Sequence, residues 1–386
     1  MKNKQYLLTF LVSTVFLLGC SQKESVDFVI KNVKLFDGTS ITENATVSVK
    51  NGLIFKIETG DTADHYASKY VVDGNNKTLI PGLINAHCHI NKTEDLKESA
   101  RAGILTVMEL LQIYEDSIPK FRALSKLKDY PYYFTSGIGA DMPDAVIKTY
   151  IQRLNPYAPR NKEEISQFMK DRLGHKVDFI KIFQDSRLPE KFSDTLFRAL
   201  VNETHSNKLL AVVHSETLKD ATYAFDNGAD ILAHGWVDYS ISKRELLKWQ
   251  SRKFYVIPTL LVHCNVKKQF NPVSYSLSSE AMIAEIGKLH HAGIGILAGS
   301  DAPADGLNFS TDYYKELELY VKAGLTPLEV LQTATKNPAQ AFRLKDKGSI
   351  KQGGSADFVL VNGNPLADIS QLKRIESVWK KGEKIK

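Results

Sequence analysis

The sequence predicts an α/β protein: a (β/α)8 TIM barrel carrying a small discontinuous β-sandwich domain formed by the two ends of the chain. Two patterns lead there. Residues 81–347 alternate continuous apolar runs with helical stretches, as parallel strands covered on both faces require. Residues 27–80 and 348–386 instead carry short runs separated by turn signals such as Asp-Gly and Asn-Gly. At 386 residues and 43% hydrophobic content, the chain is long enough for one large core plus a companion domain, and too apolar for disorder.

Residues 1–19 read as a targeting segment. Lys2 and Lys4 precede an apolar run from Tyr6 to Gly19, which is too short to span a bilayer and built like a secretory h-region. The run ends in Leu17-Leu18-Gly19-Cys20, which resembles the lipobox of bacterial lipoproteins. That resemblance implies cleavage before Cys20, a lipid on its sulfur, and a place on a membrane surface of the bacterial cell envelope. An ordinary signal peptide with an incidental cysteine is the alternative. Residues 20–26 are polar and read as a tether. With Cys20 acylated, only Cys88 and Cys264 remain, so no disulfide framework follows. Net charge falls from +6 to about +4 once Lys2 and Lys4 are removed. No Lys/Arg block is interleaved with aromatics, so nucleic acid is not an expected partner.

The small domain opens with strands at 28–36 and 45–50, the turn pairs Asp37-Gly38 and Asn51-Gly52 following them. Its partners lie far off, at 356–361 and 375–382, and neither end alone has enough strands to close a sandwich. Between them, barrel strands are predicted at 79–89, 103–108, 131–134, 178–183, 209–214, 230–234, 254–259 and 294–301, with helices such as 193–204 and 218–227 in the connections. A doubly wound sheet would need a Gly-rich phosphate turn after its first strand, and none is present. Residues 153–161, with Pro156 and Pro159, read as a loop insertion ahead of the fourth strand.

The first barrel strand ends in His87-Cys88-His89. Positions i and i+2 of a strand share a face, so the two imidazoles point together at its C-terminal mouth, within reach of one ion at about 2.0–2.1 Å. An isolated pair of this kind is also explained by hydrogen bonds to carbonyls or water. Further polar residues close the later strands: Lys181, His214, His234 and Asp301.

These strand ends sit within recognisable pieces: Pro81-Gly82-Leu83-Ile84-Asn85-Ala86-His87-Cys88-His89, Asp178-Phe179-Ile180-Lys181-Ile182, Ala233-His234-Gly235 and Gly299-Ser300-Asp301-Ala302. Leu325-Thr326-Pro327-Leu328-Glu329, Ala334-Thr335-Lys336-Asn337-Pro338-Ala339 and Gly354-Ser355-Ala356-Asp357 follow in order. The ordered set resembles the amidohydrolase superfamily of metal-dependent hydrolases, in its imidazolonepropionase-like and prolidase-like branch, from about residue 27 to the end. The resemblance implies two divalent ions, zinc foremost, with His87, His89 and Asp301 on one and His214 and His234 on the other. It implies a carboxylated Lys181 bridging both, and Asp301 as general base. The implied reaction is cleavage of a C–N bond in a small molecule, of the dipeptidase or cyclic-amide kind. Lactone, ester or phosphotriester hydrolysis on the same site is the alternative, and a non-catalytic ligand-binding lipoprotein the second.

Elementary electrostatics supports the carbamate, because a free ammonium inside Phe-Ile-Lys-Ile-Phe is an uncompensated buried charge costing several kcal/mol. The alternatives are a Lys181 salt bridge in a one-metal site, core roles for His214 and His234, and Asp301 capping a helix opened by Pro303. Glu216, Tyr255 and His263 are candidate substrate contacts, with a loop acid, core packing and a surface loop as their plainer accounts. His290 and His291 precede the eighth strand and fall at the wrong end of a barrel. The stretch from Thr135 to Asp141 lacks the Gly-Gly-His expected in many relatives, which leaves the substrate open.

Overall fold

The structure is a computed structural model that describes residues 23–141, 159–187 and 190–386. The predicted signal segment, Cys20 and most of the 153–161 insertion lie outside the described residues. Among the described residues, no helix is long and apolar enough to cross a membrane.

The terminal strands are β1 (Glu24–Phe36), β2 (Ile41–Lys50), β3 (Leu53–Thr59), β4 (Tyr66–Asp73), β5 (Thr78–Pro81), then β14 (Phe358–Val361), β15 (Ile375–Lys380) and β16 (Glu383–Lys384). They form one hydrogen-bonded sheet in the order β16-β15-β14-β5-β1-β2-β3, with β4 also on β1. The expected sandwich thus takes the form of a single branched sheet. The cause is the length of β1, whose first half pairs with β4 and whose last residues pair with β5. The expected tether is also shorter, because Glu24, Ser25 and Val26 already pair with Tyr66, Ala67 and Ser68. Asn51 (φ 54°) and Gly52 (φ 74°) supply the two left-handed residues that a tight β2–β3 hairpin requires. Antiparallel pairing of β14 with β5, Phe358 opposite Pro81, joins the two ends of the chain. Phe28, Ile30, Val47, Leu79, Phe358 and Trp379 are buried together on this sheet. Lys380 anchors it to the rest: its Nζ donates to the carbonyls of Ser125 (2.6 Å), Leu127 (2.9 Å) and Tyr130 (2.5 Å).

The middle of the chain supplies β6 (Leu83–Cys88), β7 (Ile104–Glu109) and β8 (Tyr132–Thr135) as one parallel sheet. A second parallel sheet holds β9 (Ile180–Phe183), β10 (Ala211–His214), β11 (Ile231–Ala233), β12 (Tyr255–Ile257) and β13 (Gly295–Ile296). Neighbours follow sequence order throughout, as in a barrel and unlike a doubly wound sheet. The strand ladder is interrupted at two seams, each crossed by individual backbone bonds. At one, Ala140 N donates to Lys181 O and Phe183 N to Ala140 O, both at 2.9 Å. At the other, Ala86 N donates to Ala298 O at 2.7 Å, and His87 O accepts from Ser300 N (3.0 Å) and Asp301 N (2.8 Å). Ile84, Met108, Phe179, Val212, Ile231 and Leu297 pack between the strands as an apolar layer beneath the strand ends.

Glu316, on the helix Thr311–Lys322, ties the outer helices to the strand ends. Its two carboxylate oxygens accept from Leu260 N (2.8 Å) and Leu261 N (2.6 Å), the open N–H groups at the start of the helix Leu260–Phe270. Burial nevertheless outweighs those bonds and pushes the carboxyl up to about 7. A raised folded value means this group's contribution is complete below the unfolded pKa near 4.5 and is lost as pH rises through 7. The stability of the wild type relative to Glu316→Gln is therefore expected to fall by about 3 kcal/mol between pH 5 and 8. Denaturant melts of both proteins across that range check it, and a pH-independent difference would refute it.

Candidate metal centre

Parallel strands present their last side chains at one rim, and the polar residues cluster there. His87 lies near the end of β6 and His89 just beyond it, while Cys88 between them turns the other way, its Sγ 3.6 Å from Met108 O. Lys181 lies within β9, His214 ends β10, His234 follows β11, and Asp301 follows β13. All six line one cavity of about 810 Å³.

The closest grouping is His87, His89 and Asp301, whose ligand atoms lie within 4.8 Å of one another. The two Nε2 atoms are 3.3 Å apart, and Asp301 Oδ1 is 3.0 Å from the first and 2.9 Å from the second. Ligands at about 2.0–2.1 Å in a tetrahedral shell are separated by ~3.3–3.4 Å, so the two nitrogens stand at the edge of such a shell and the Asp301 oxygen a few tenths of an ångström inside it. His234 continues the cluster, its ring centroid 4.7 Å from that of His87 and 4.6 Å from that of His214. His214 Nε2 is buried without a hydrogen-bond partner among the described residues. This donor set, with a carboxylate shared by two facing imidazoles and a buried unpaired nitrogen beside them, fits divalent cations.

Protonation agrees with that reading at three of the four histidines. Burial lowers His87 to about 3 and His214 to about 4, and holds His234 well below the usual imidazole range. Burial would lower His89 too, but its bonds to Asp301 and Glu109 outweigh it and raise the group to about 9. Burial works against ionised Asp301, yet the two histidines hold its carboxyl well below the ordinary value. Lys181 is drawn down to about 7 by burial. Among the described residues, no carboxylate lies within ion-pair distance of its Nζ, which faces the Phe183 ring at 5.4 Å.

Supporting residues escaped the sequence reading. Glu109, the last residue of β7, is fully buried, accepts from Leu111 N (2.9 Å) and Ile90 N, and lies 3.4 Å from His89 Nδ1. Its signal was available, since it closes the second apolar run as the six rim residues close theirs. Thr259 Oγ1 lies 2.9 Å from His234 Nδ1 and so orients that ring. Of the other candidates, Glu216 and His263 line the cavity, and Arg187 binds both Asp185 and Glu216. Tyr255 does not reach the cavity. It is the first residue of β12, at the opposite end from the rim, and lines a hollow together with His290. His290 pairs with Glu329 at 3.2 Å, away from the centre as its position before the last strand implied.

The amidohydrolase family pattern matches residues 185–385, from just after Lys181 almost to the C-terminus. The chain belongs to the amidohydrolase family. This amidohydrolase is 22% identical over 380 residues to an adenine deaminase of Lysinibacillus sphaericus, an alignment covering 96% of the chain and 59% of that protein. The chain thus spans about three fifths of the length of the adenine deaminases it matches. A 5-methylthioadenosine/S-adenosylhomocysteine deaminase of Thermoanaerobacter pseudethanolicus is 23% identical over 402 residues, covering 87% of this amidohydrolase and 85% of that enzyme. A crystal structure of a Xaa-Pro dipeptidase with bound methionine superposes with a TM-score of 0.78 at 20% identity, over 92% of the chain and 99% of that one. That likeness establishes a shared fold.

Because Glu109 holds His89 from behind, Glu109→Gln is expected to weaken metal binding about tenfold or more without unfolding the protein. Chelator competition with the circular dichroism spectrum in parallel measures both, and unchanged affinity would remove Glu109 from the centre.

Proposed function

We propose that this amidohydrolase hydrolyses a C–N bond of a small amide, in the manner of a dipeptidase or cyclic amidase, using two divalent ions, zinc first among them. The observation that carries this is the meeting of His87 and His89 from one strand end with Asp301 from another inside a cavity that Lys181, His214 and His234 also line. His87, His89 and Asp301 would hold one ion, and His214 and His234 the second. Bound there, the ions supply Lewis acidity, which lowers the pKa of water and polarises a carbonyl.

The chain's own groups do the rest. Asp301 presents Oδ1 to the two imidazoles, while its Oδ2 makes no hydrogen bond among the described residues. That oxygen takes the proton of the attacking water and returns it to the departing nitrogen, which leaves as a neutral amine. Lys181, buried and with no carboxylate at ion-pair distance among the described residues, would lose a proton and add CO2 through Nζ, and the carbamate so formed would help hold both ions. A second reading, deamination, is favoured by the names of the curated relatives, whose matches cover most of this chain. There the nitrogen that receives the proton departs as ammonia.

The same proposal completes the eight strands as a closed barrel over 81–347, with the composite β-domain at 27–80 and 348–386. It also places a lipid on Cys20, after removal of residues 1–19, to hold the enzyme on a membrane of the bacterial cell envelope.

The test is hydrolysis by the full chain in detergent of dipeptides, N-acyl amino acids, cyclic amides, adenine, methylthioadenosine, a lactone and an aryl phosphotriester. Activity on an amide that chelator abolishes and zinc, cobalt or manganese restores is expected; preference for adenine or a nucleoside selects deamination, and no metal-dependent turnover refutes both. Elemental analysis should give about two ions per chain, and a value near one removes the bridging role of Lys181. Asp301→Asn should keep metal and lose turnover by at least ~10²-fold. Near-native turnover would remove Asp301 as general base.

A further inference from the structure

His263, on the helix Leu260–Phe270, lies beside the metal centre without belonging to it. Its side chain is buried, 4% exposed, and its ring packs edge-on against His234 with centroids 5.6 Å apart. One ring nitrogen, Nδ1, is 2.9 Å from the Tyr275 hydroxyl. The other, Nε2, is buried with no hydrogen-bond partner among the described residues, and the side chain lines the cavity of the metal ligands. A buried polar atom left without a partner is costly, and its retention at the wall of a cavity calls for an explanation. A ligand that supplies the missing partner is one.

The same helix shapes what lies next to that nitrogen. Val262, Val266 and Phe270 follow at four-residue intervals, so they share one face of the helix, and all three line the cavity. Phe270 is 69% exposed. A large exposed aromatic at the wall of a cavity is a surface for an apolar group of a ligand.

We propose that His263 is a specificity-determining residue whose Nε2–H donates to a substrate oxygen, while the apolar side chain beside that oxygen lies on Val262, Val266 and Phe270. With the Tyr275 hydroxyl as donor to Nδ1 across their 2.9 Å contact, the single hydrogen that a neutral imidazole carries sits on Nε2. This rests on the hydrolase reading above and names its substrate class: N-acyl amino acids with an apolar side chain. The accepting oxygen is a carbonyl or a carboxylate.

Calorimetric titration of the full chain in detergent, stripped of metal, separates this from catalysis. The ligands are N-acetyl-L-leucine, N-acetyl-L-leucinamide and N-acetylglycine. We expect N-acetyl-L-leucine to bind more tightly than N-acetylglycine, and His263→Phe to weaken it about tenfold. His263→Gln, which keeps an N–H donor, should recover most of the loss. Phe270→Ser should narrow the gap between the leucine and glycine ligands. A loss for the acid alone identifies a carboxylate acceptor, and an equal loss for the amide identifies the carbonyl. Equal affinity of wild type and His263→Phe, or no discrimination between leucine and glycine ligands, overturns the proposal. Tyr275→Phe leaves the imidazole in place but frees its tautomer, so an intermediate loss is expected there and wild-type affinity counts against the proposal. If the binding pattern holds while the metal-loaded enzyme turns over none of these ligands and no amide of the panel above, the hydrolase reading fails and the His263 contact stands.

Discussion

The centre depends on a single backbone carbonyl. His87 O accepts from both Ser300 N and Asp301 N, which fixes the end of β6 against the stretch after β13. Asn85 reinforces the join, taking Ser300 N on Oδ1 (3.1 Å) and giving Nδ2 to Ser300 Oγ (2.8 Å). A side chain at Gly299 would not fit there, since its Cβ would stand 2.9 Å from His87 N. With this seam in place, His89 and Asp301, 212 residues apart in sequence, are within hydrogen-bond distance. Without it the two Nε2 atoms would have no carboxylate between them.

The backbone at the rim is bent to serve the same end. His234 (φ 76°), Thr259 (φ 46°) and Asp301 (φ 60°) all occupy the left-handed region, which is sparsely populated by residues with a β-carbon and costly for a β-branched threonine. At Thr259 the turn brings the hydroxyl to His234 and leaves it unable to cap the helix it precedes. Glu316 supplies that cap from another helix instead. A bond that orients His234 and a helix cap thus compete for one residue, and a buried carboxylate far along the chain resolves the conflict.

Much of this was legible in the chain itself, for definite reasons. Strands buried on both faces leave long apolar runs, and a polar residue closing such a run stands out, which is how His214, His234 and Asp301 could be picked before any coordinates. His87 and His89 followed from the two-residue period of a strand. Glu109 was passed over because an acid at a strand end also reads as ordinary solvation, and only its burial against His89 distinguishes it. Thr259 and Tyr275 act through partners that sequence spacing does not bring near. Tyr255 was misplaced because an apolar run does not say where its hydrogen-bonded part begins; it opens β12 and therefore faces the far end. The early start of β1 and the branching of the terminal sheet depend on pairing with β4, whose sequence carries little apolar alternation.

The pairing of β5 with β14 reaches beyond the finished molecule. Thr78 Oγ1 donates to Gly363 O at 2.7 Å across 285 residues of sequence, and the strands on either side belong to opposite ends of the chain. A polypeptide emerging from the ribosome can build β1 to β4 and the two parallel sheets, but β5 waits with one open edge until β14 arrives. Folding of this sheet is accordingly a late, non-local closure rather than a vectorial one. Until that closure, the nascent enzyme carries an exposed strand edge that a chaperone has to keep from other chains.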